Sequence, residues 1–170
     1  MSDAIATAVN NAVQYLTEHP DEAAYTDGPA TATLESGLRV NVAGSDGESL
    51  ITDMPTSVGG GNSAPSAGWM MRAAIAACEA TLIAMRAAQQ GVALGSVEVV
   101  VDSKSDDRGI LGIDGSVPAG PASVRVAVKV SSDSSESDVR SVVEWAHDHC
   151  PVTDAVRRAV PTELQVEISG

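Results

Sequence analysis

The chain has 170 residues, 44% of them hydrophobic and 19% charged, a balance that supports a folded globule and excludes wholesale disorder. Ten Lys and Arg stand against 23 Asp and Glu, and the formal charge of −13 repels phosphate backbones and anionic lipid, so DNA, RNA and membranes are disfavoured partners. Phe is absent and Trp and Tyr occur twice each, so Val, Ile, Leu, Ala and Met must build the core, and platforms for stacking bases are scarce. No uninterrupted apolar run is long enough to span a bilayer. The Met-Ser-Asp start carries no basic segment followed by an apolar stretch, which predicts no secretory signal and a cytoplasmic location.

Taken in chain order, Ile5, Val9, Ala12, Val13 and Leu16 recur at helical spacing over residues 3–18, with Asp3 placed to cap the start and Pro20 beyond the end. The period then changes to two. Residues 30–35, 38–43 and 49–53 read as short strands joined by Ser36-Gly37 and by the turn from Gly44 to Gly47, a three-stranded meander. A Gly-rich loop, residues 55–65, leads to the strongest helix in the chain, Ser66 to Gln90, which Gly91 ends. Along it Met71, Ile75, Cys78, Leu82 and Met85 share one face, while Arg72, Glu79 and Arg86 recur at seven-residue spacing on another. Alanines at 73, 74, 76, 77 and 80 surround Cys78 with small side chains that let another helix or strand approach closely.

Residues 97–102 and 124–130 are rich in β-branched side chains and predict strands, with a loop or irregular hairpin over 107–120 between them. Ser134 or Ser135 caps a helix to about His147, Pro151 opens another through about Ala159, and Leu164 to Ile168 gives a last strand. Antiparallel strands interrupted by long helices predict an α+β fold, one domain over 1–170 with residues 1–20 as a helical extension and 30–169 as the core.

Gly59-Gly60-Gly61 before a helix invites a phosphate cradle, but the Lys-Ser/Thr of a P-loop does not follow, and a loop feeding the helix is the simpler reading. His147, His149 and Cys150 hold metal-ligating atoms on one helix end, with no second compact ligand pair to complete a site. Neither a metal nor a cofactor is expected. Two cysteines are too few for a disulfide scaffold, and in a reducing compartment they are thiols or redox-active. Cys150 precedes Pro151 and so falls at or beside a helix N-cap, where the helix dipole favours thiolate. Cys78 lies too deep in its helix for that effect and reads by itself as a small core residue, or as a nucleophile only where folding delivers a cation.

The segment Gly59 to Cys78, with its Gly-rich loop, Pro65 and alanine-rich helix ending at a cysteine, resembles that of the OsmC/Ohr superfamily, the osmotically induced and organic hydroperoxide resistance proteins. Cys150-Pro151-Val152 is similar to the family's Cys-Pro-Val helix start, and Asp107 to Asp114 to its central loop. The resemblance implies antiparallel sheets packed around a long central helix in an intertwined homodimer. It also implies that Cys78 is peroxidatic: it attacks the distal oxygen of an organic hydroperoxide and becomes sulfenic acid, which condenses with Cys150 as the resolving thiol. A dithiol reductant then restores both.

Peroxidase members of the family pair an Arg from the meander with a Glu in a Pro-Glu step at the helix start. Here the step is Pro65-Ser66, with no acidic residue before Cys78, so that orienting carboxylate is missing. Arg39 is the candidate thiolate-stabilising residue, or else an ordinary cation on a strand surface; Arg72, six residues before Cys78, faces the opposite side of the helix. The alternative function is a noncatalytic dimer binding a small hydrophobic ligand at its interface, with Trp69, Met70, Met71 and Met85 lining the cleft, although core or dimer packing explains the same residues. A purely structural dimer leaves the cysteine pair without a role.

Overall fold

The computed structural model describes residues 2–170. Helix α1 spans Ser2–Glu18, so Asp3 lies inside its first turn and not ahead of it. A single 3-10 turn, Pro20–Glu22, follows, because Pro20 cannot continue an α-helix but fits its first position. Strands β1 (Ala30–Ser36), β2 (Arg39–Gly44) and β3 (Ser49–Thr52) form the expected antiparallel meander, with Asn41 paired to Thr33 on one side and to Ile51 on the other. Gly37, at φ 57°, makes the first reversal.

Helix α2 spans Ala67–Gln90. The Ser66 hydroxyl accepts from the Trp69 N–H at its start, and Gly91, left-handed at φ 69°, closes its end. Strands β4 (Ser96–Lys104) and β5 (Ser123–Ser131) pair antiparallel as a second sheet, Val99 opposite Val128. The segment expected to be loop or hairpin between them holds one helical turn, α3 (Asp107–Ile110), because the Asp106 side chain caps it by accepting from the Arg108 N–H. Helices α4 (Glu136–His149) and α5 (Pro151–Arg157) complete the fold, α4 capped by Ser135.

Helix α2 is the hub: it packs against α1, α4 and β4 and touches α5. The core joins Ile83 and Ala87 of α2 to Val142 and Ala146 of α4, flanked by Val97 and Val99 of β4 and Val128 of β5. The buried line along α2 is Ile75, Glu79, Ile83 and Ala87. That line changes the reading of the helix, because the seven-residue charged stripe turns inward. The Arg72 guanidinium donates to Ser103 on β4, Arg86 lies 4.5 Å over the Trp145 ring, and Glu79 meets α4 and α5. Met71, Cys78, Leu82 and Met85 are only partly covered, and Trp69 is 49% exposed. By length and composition α2 could cross a membrane, but its three charged residues are all engaged by neighbouring elements of the fold.

No strand forms at 164–168. The segment adopts no regular secondary structure, and Leu164, Val166 and Ile168 stand at 86%, 70% and 91% exposure, because a strand needs a ladder partner and the single chain offers none there. The whole chain exposes 12037 Å², against roughly 7,800 Å² for a compact monomer of its 17.3 kDa.

Candidate redox site

Two pieces of chain far apart in sequence build the site. Cys150 ends α4 and caps α5; its extended backbone, φ −71° and ψ 111°, turns the chain between the two helices, and Pro151 occupies the first helical position. Its sulfur accepts from the Thr153 N–H at 3.5 Å and is fully buried. Cys78 faces this corner from the middle of α2 and is partly exposed. Both cysteines are free thiols, and the Cys150 thiol and the Val152 N–H of α5 both lie close enough to act on the Cys78 thiol.

Burial pushes the Cys78 thiol above its ordinary value, and its interaction with the Cys150 thiol adds to that rise. The Val152 N–H pulls in the opposite direction, while electrostatic interaction with Cys150 and with Glu79 pushes further up. Within the single chain the thiol form is therefore favoured at Cys78.

Glu79, directly after Cys78, is 99% buried, and its Oε1 receives the Thr153 hydroxyl at 2.7 Å and lies 2.9 Å from Nδ1 of His147. Sequence reasoning placed Glu79 in a charged stripe and missed this role. The signal was its four-residue spacing from Ile75 and Ile83, which puts it on the most apolar line of the helix. His147 thus joins this cluster, whereas His149 stacks on Trp145 and meets that residue's carbonyl. Among the described residues no group of three metal-ligating side chains converges. Beside the cluster lies a cavity of about 290 Å³ with Ile75, Val126 and Val156 in its walls and His147 and Thr153 at its polar side.

Arg39 is not part of this cluster. Its Nε donates to Glu35 at 2.9 Å and its Nη1 to the Ser63 hydroxyl at 2.7 Å, and the groups acting on the Cys78 thiol include no cation. Ser63 in turn donates from both its N–H and its hydroxyl to Asp53, a buried carboxylate that also receives the Met54 and Gly61 N–H groups. These bonds, those of Ser63 foremost, hold Asp53 down at about 2 and close the Gly-rich loop as a structural knot. That loop is no phosphate cradle: the Gly59, Gly60 and Asn62 N–H groups bond to the carbonyls of Thr56, Pro55 and Met54, and those of Gly61 and Ser63 to Asp53.

The family model for OsmC-like proteins matches residues 60–165, which include both cysteines and every helix from α2 to α5. The chain belongs to the OsmC-like family. Solved structures agree on the fold. An OsmC-like protein from Mycoplasma pneumoniae superposes with a TM-score of 0.67 at 13% identity, over 80% of this chain and 91% of that one. An organic hydroperoxide resistance protein from Elizabethkingia anophelis gives 0.62 at 18% identity, over 81% and 92%. The organic hydroperoxide resistance protein OsmC from Legionella pneumophila gives 0.58 at 23% identity, over 79% and 91%. No curated protein sequence matches the chain. Proteins of the family are generally homodimers.

Proposed function

We propose that this OsmC-like protein is a thiol-dependent peroxidase that reduces organic hydroperoxides as a homodimer. The Cys78 thiolate attacks the distal peroxide oxygen, the O–O bond breaks, and the alcohol leaves, so that Cys78 becomes sulfenic acid. The Cys150 thiol then attacks that sulfur, water departs, and the Cys78–Cys150 disulfide forms. A dithiol reductant returns both residues to thiols by two successive exchanges. The reaction needs no cofactor, and it suits a cytoplasm that keeps both thiols reduced. The observation that carries this reading is that two thiols from separate parts of the chain are brought together at one corner, one partly exposed and one buried as a helix cap. A second thiol close at hand is what protects a sulfenic acid from further oxidation. Structural neighbours named for organic hydroperoxide resistance point the same way.

Two features support assembly into a dimer. The chain exposes several thousand Å² more than a compact monomer of its mass, and the partly covered face of α2 carries Trp69, Met71, Leu82 and Met85. Arg39 is assigned as the cation that stabilises the Cys78 thiolate, and it reaches Cys78 only in the assembled dimer. Glu35 takes the place of the missing helix-start carboxylate in orienting it.

One observation favours a second reading, a noncatalytic dimer that binds a small hydrophobic ligand: the Cys78 thiol is held up and has no cation beside it in the single chain. Consumption of cumene hydroperoxide under dithiothreitol separates the two. Turnover in wild type that is lost in Cys78→Ser supports the peroxidase. Equal background rates in both proteins transfer the case to the ligand-binding dimer.

A further inference from the structure

Glu79 is a carboxyl group at 1% exposure in the middle of α2, and the proposed chemistry gives it no task. Its two partners lie on either side of Cys150: His147, three residues before it on α4, and Thr153, three residues after it on α5. Both meet the same oxygen, Oε1. Thr153 also gives its N–H to the Cys150 sulfur, and the Cys150 thiol lies close enough to act on that of Cys78, the residue next to Glu79. The contacts therefore close a ring, from Cys78 to Cys150 to Thr153 to Glu79 and back along the helix.

From this ring we infer that Glu79 is a positioning residue that clamps the α4–α5 corner onto α2 and thereby sets the approach of Cys150 to Cys78. Disulfide formation depends on how often the two sulfurs meet in line, that is, on the effective concentration of one thiol at the other. The corner has no covalent tie to α2, and α5 is only seven residues long, so its local stability rests on a few contacts. Two hydrogen bonds to one buried acceptor are strong because water does not compete there, and leaving the Thr153 hydroxyl unpaired carries a full desolvation cost. The carboxylate has a second consequence. Its charge disfavours the Cys78 thiolate, so the clamp is also a brake on the nucleophile.

The clamp serves the resolving step of the proposed peroxidase and rests on that reading for its biological use. Its test does not. Oxidised dithiothreitol exchanges with the protein dithiol to give the Cys78–Cys150 disulfide and reduced dithiothreitol, and the equilibrium constant reads the pairing of the two sulfurs without any peroxide. Glu79→Met keeps helix propensity and volume but removes the acceptor, and it should lower that constant by about tenfold or more. Glu79→Gln retains an acceptor oxygen for both donors and should stay within roughly threefold of wild type. Gln also removes the charge, so Cys78 alkylation by iodoacetamide should reach its half-maximal rate at lower pH than in wild type. A merely structural side chain would move neither the constant nor the pH profile in this pattern.

Should Glu79→Met fail to fold by its helical circular dichroism, Thr153→Val removes one arm of the clamp and should lower the constant by roughly threefold to tenfold. Wild-type exchange constants in the folded variants would overturn the clamp, whatever the protein does with peroxide. A wild type that forms the disulfide with oxidised dithiothreitol but not with cumene hydroperoxide would overturn the peroxidase reading, and a weakened Glu79→Met constant would then still support the clamp.

Discussion

The thiol-bearing half of the molecule and the meander differ in how they are held together. Around α2, β4, α4 and α5 fix Arg72, Glu79 and Arg86, and Ile83, Ala87, Val142 and Ala146 interlock in a buried core. The meander is held almost wholly by its own ladder. Every residue of β1 is exposed, and the strands' extensive contacts are with one another. Its anchor is polar: Asp53 gathers the Gly-rich loop, and Arg39 joins Glu35 to Ser63. A three-stranded sheet needs an apolar face packed against something to be stable. One half of the chain brings its two thiols together by its own packing, and in the proposed dimer the other half packs against a second subunit.

The sharpest way to break this contrast is to remove Cys150. Cys150→Ser should keep the first oxidation of Cys78 and lose dithiol-driven turnover by about 100-fold or more, since the sulfenic acid no longer has its partner. Steady-state peroxide consumption with increasing dithiothreitol measures it. Next, Arg39→Ala should slow peroxide attack by roughly tenfold to a hundredfold, because a lost cation raises the thiolate cost. The exchange constant with dithiothreitol should rise, since the cation that stabilises the reduced Cys78 thiolate in the proposed dimer is gone. An unchanged attack rate would remove Arg39 from the site.

Stability separates the halves as well. Ile83→Ala should cost about 2–5 kcal/mol at any protein concentration, as for other fully buried large-to-small changes. Leu34→Ala, at a side chain 62% exposed in the single chain, should instead lower the dimerisation constant and leave the urea midpoint of the dissociated subunit nearly unmoved. Sedimentation equilibrium reads the first quantity.

The smallest effect concerns Asp53. Its folded value of about 2 lies below the ordinary 3.8, so the stabilisation is complete above about 3.8 and is lost as pH falls toward 2. Amide exchange at Gly61 and Ser63 should accelerate in that window beyond the intrinsic pH dependence. In Asp53→Asn the additional acceleration should vanish.

Much of the thiol-bearing half was legible in the sequence, because its signals are local. Ser66, Gly91, Ser135 and Cys150-Pro151 mark helix ends by chemistry that acts within one turn, and each falls at an end in the structure. What was not legible depends on distant partners. The charged stripe of α2 reads as solvated until Ser103, Trp145 and Thr153 are brought to it by folding. Leu164, Val166 and Ile168 carry a correct strand alternation, yet alternation specifies a face and not a neighbour, and within one chain the neighbour is missing. Asp53 looked like the end of a strand, since nothing local shows that the Gly-rich loop will fold back over it. Arg39 lies outside residues 60–165, the part of the chain that the family pattern covers, so its assignment rests on the meander alone.

The most direct test of the central claim is non-reducing intact-mass analysis after equimolar cumene hydroperoxide, in wild type and in Cys150→Ser. The account predicts rapid loss of two hydrogens in wild type and a single added oxygen at Cys78 in the variant. Unchanged masses in both proteins over minutes, with the thiols still titratable after unfolding, would contradict it.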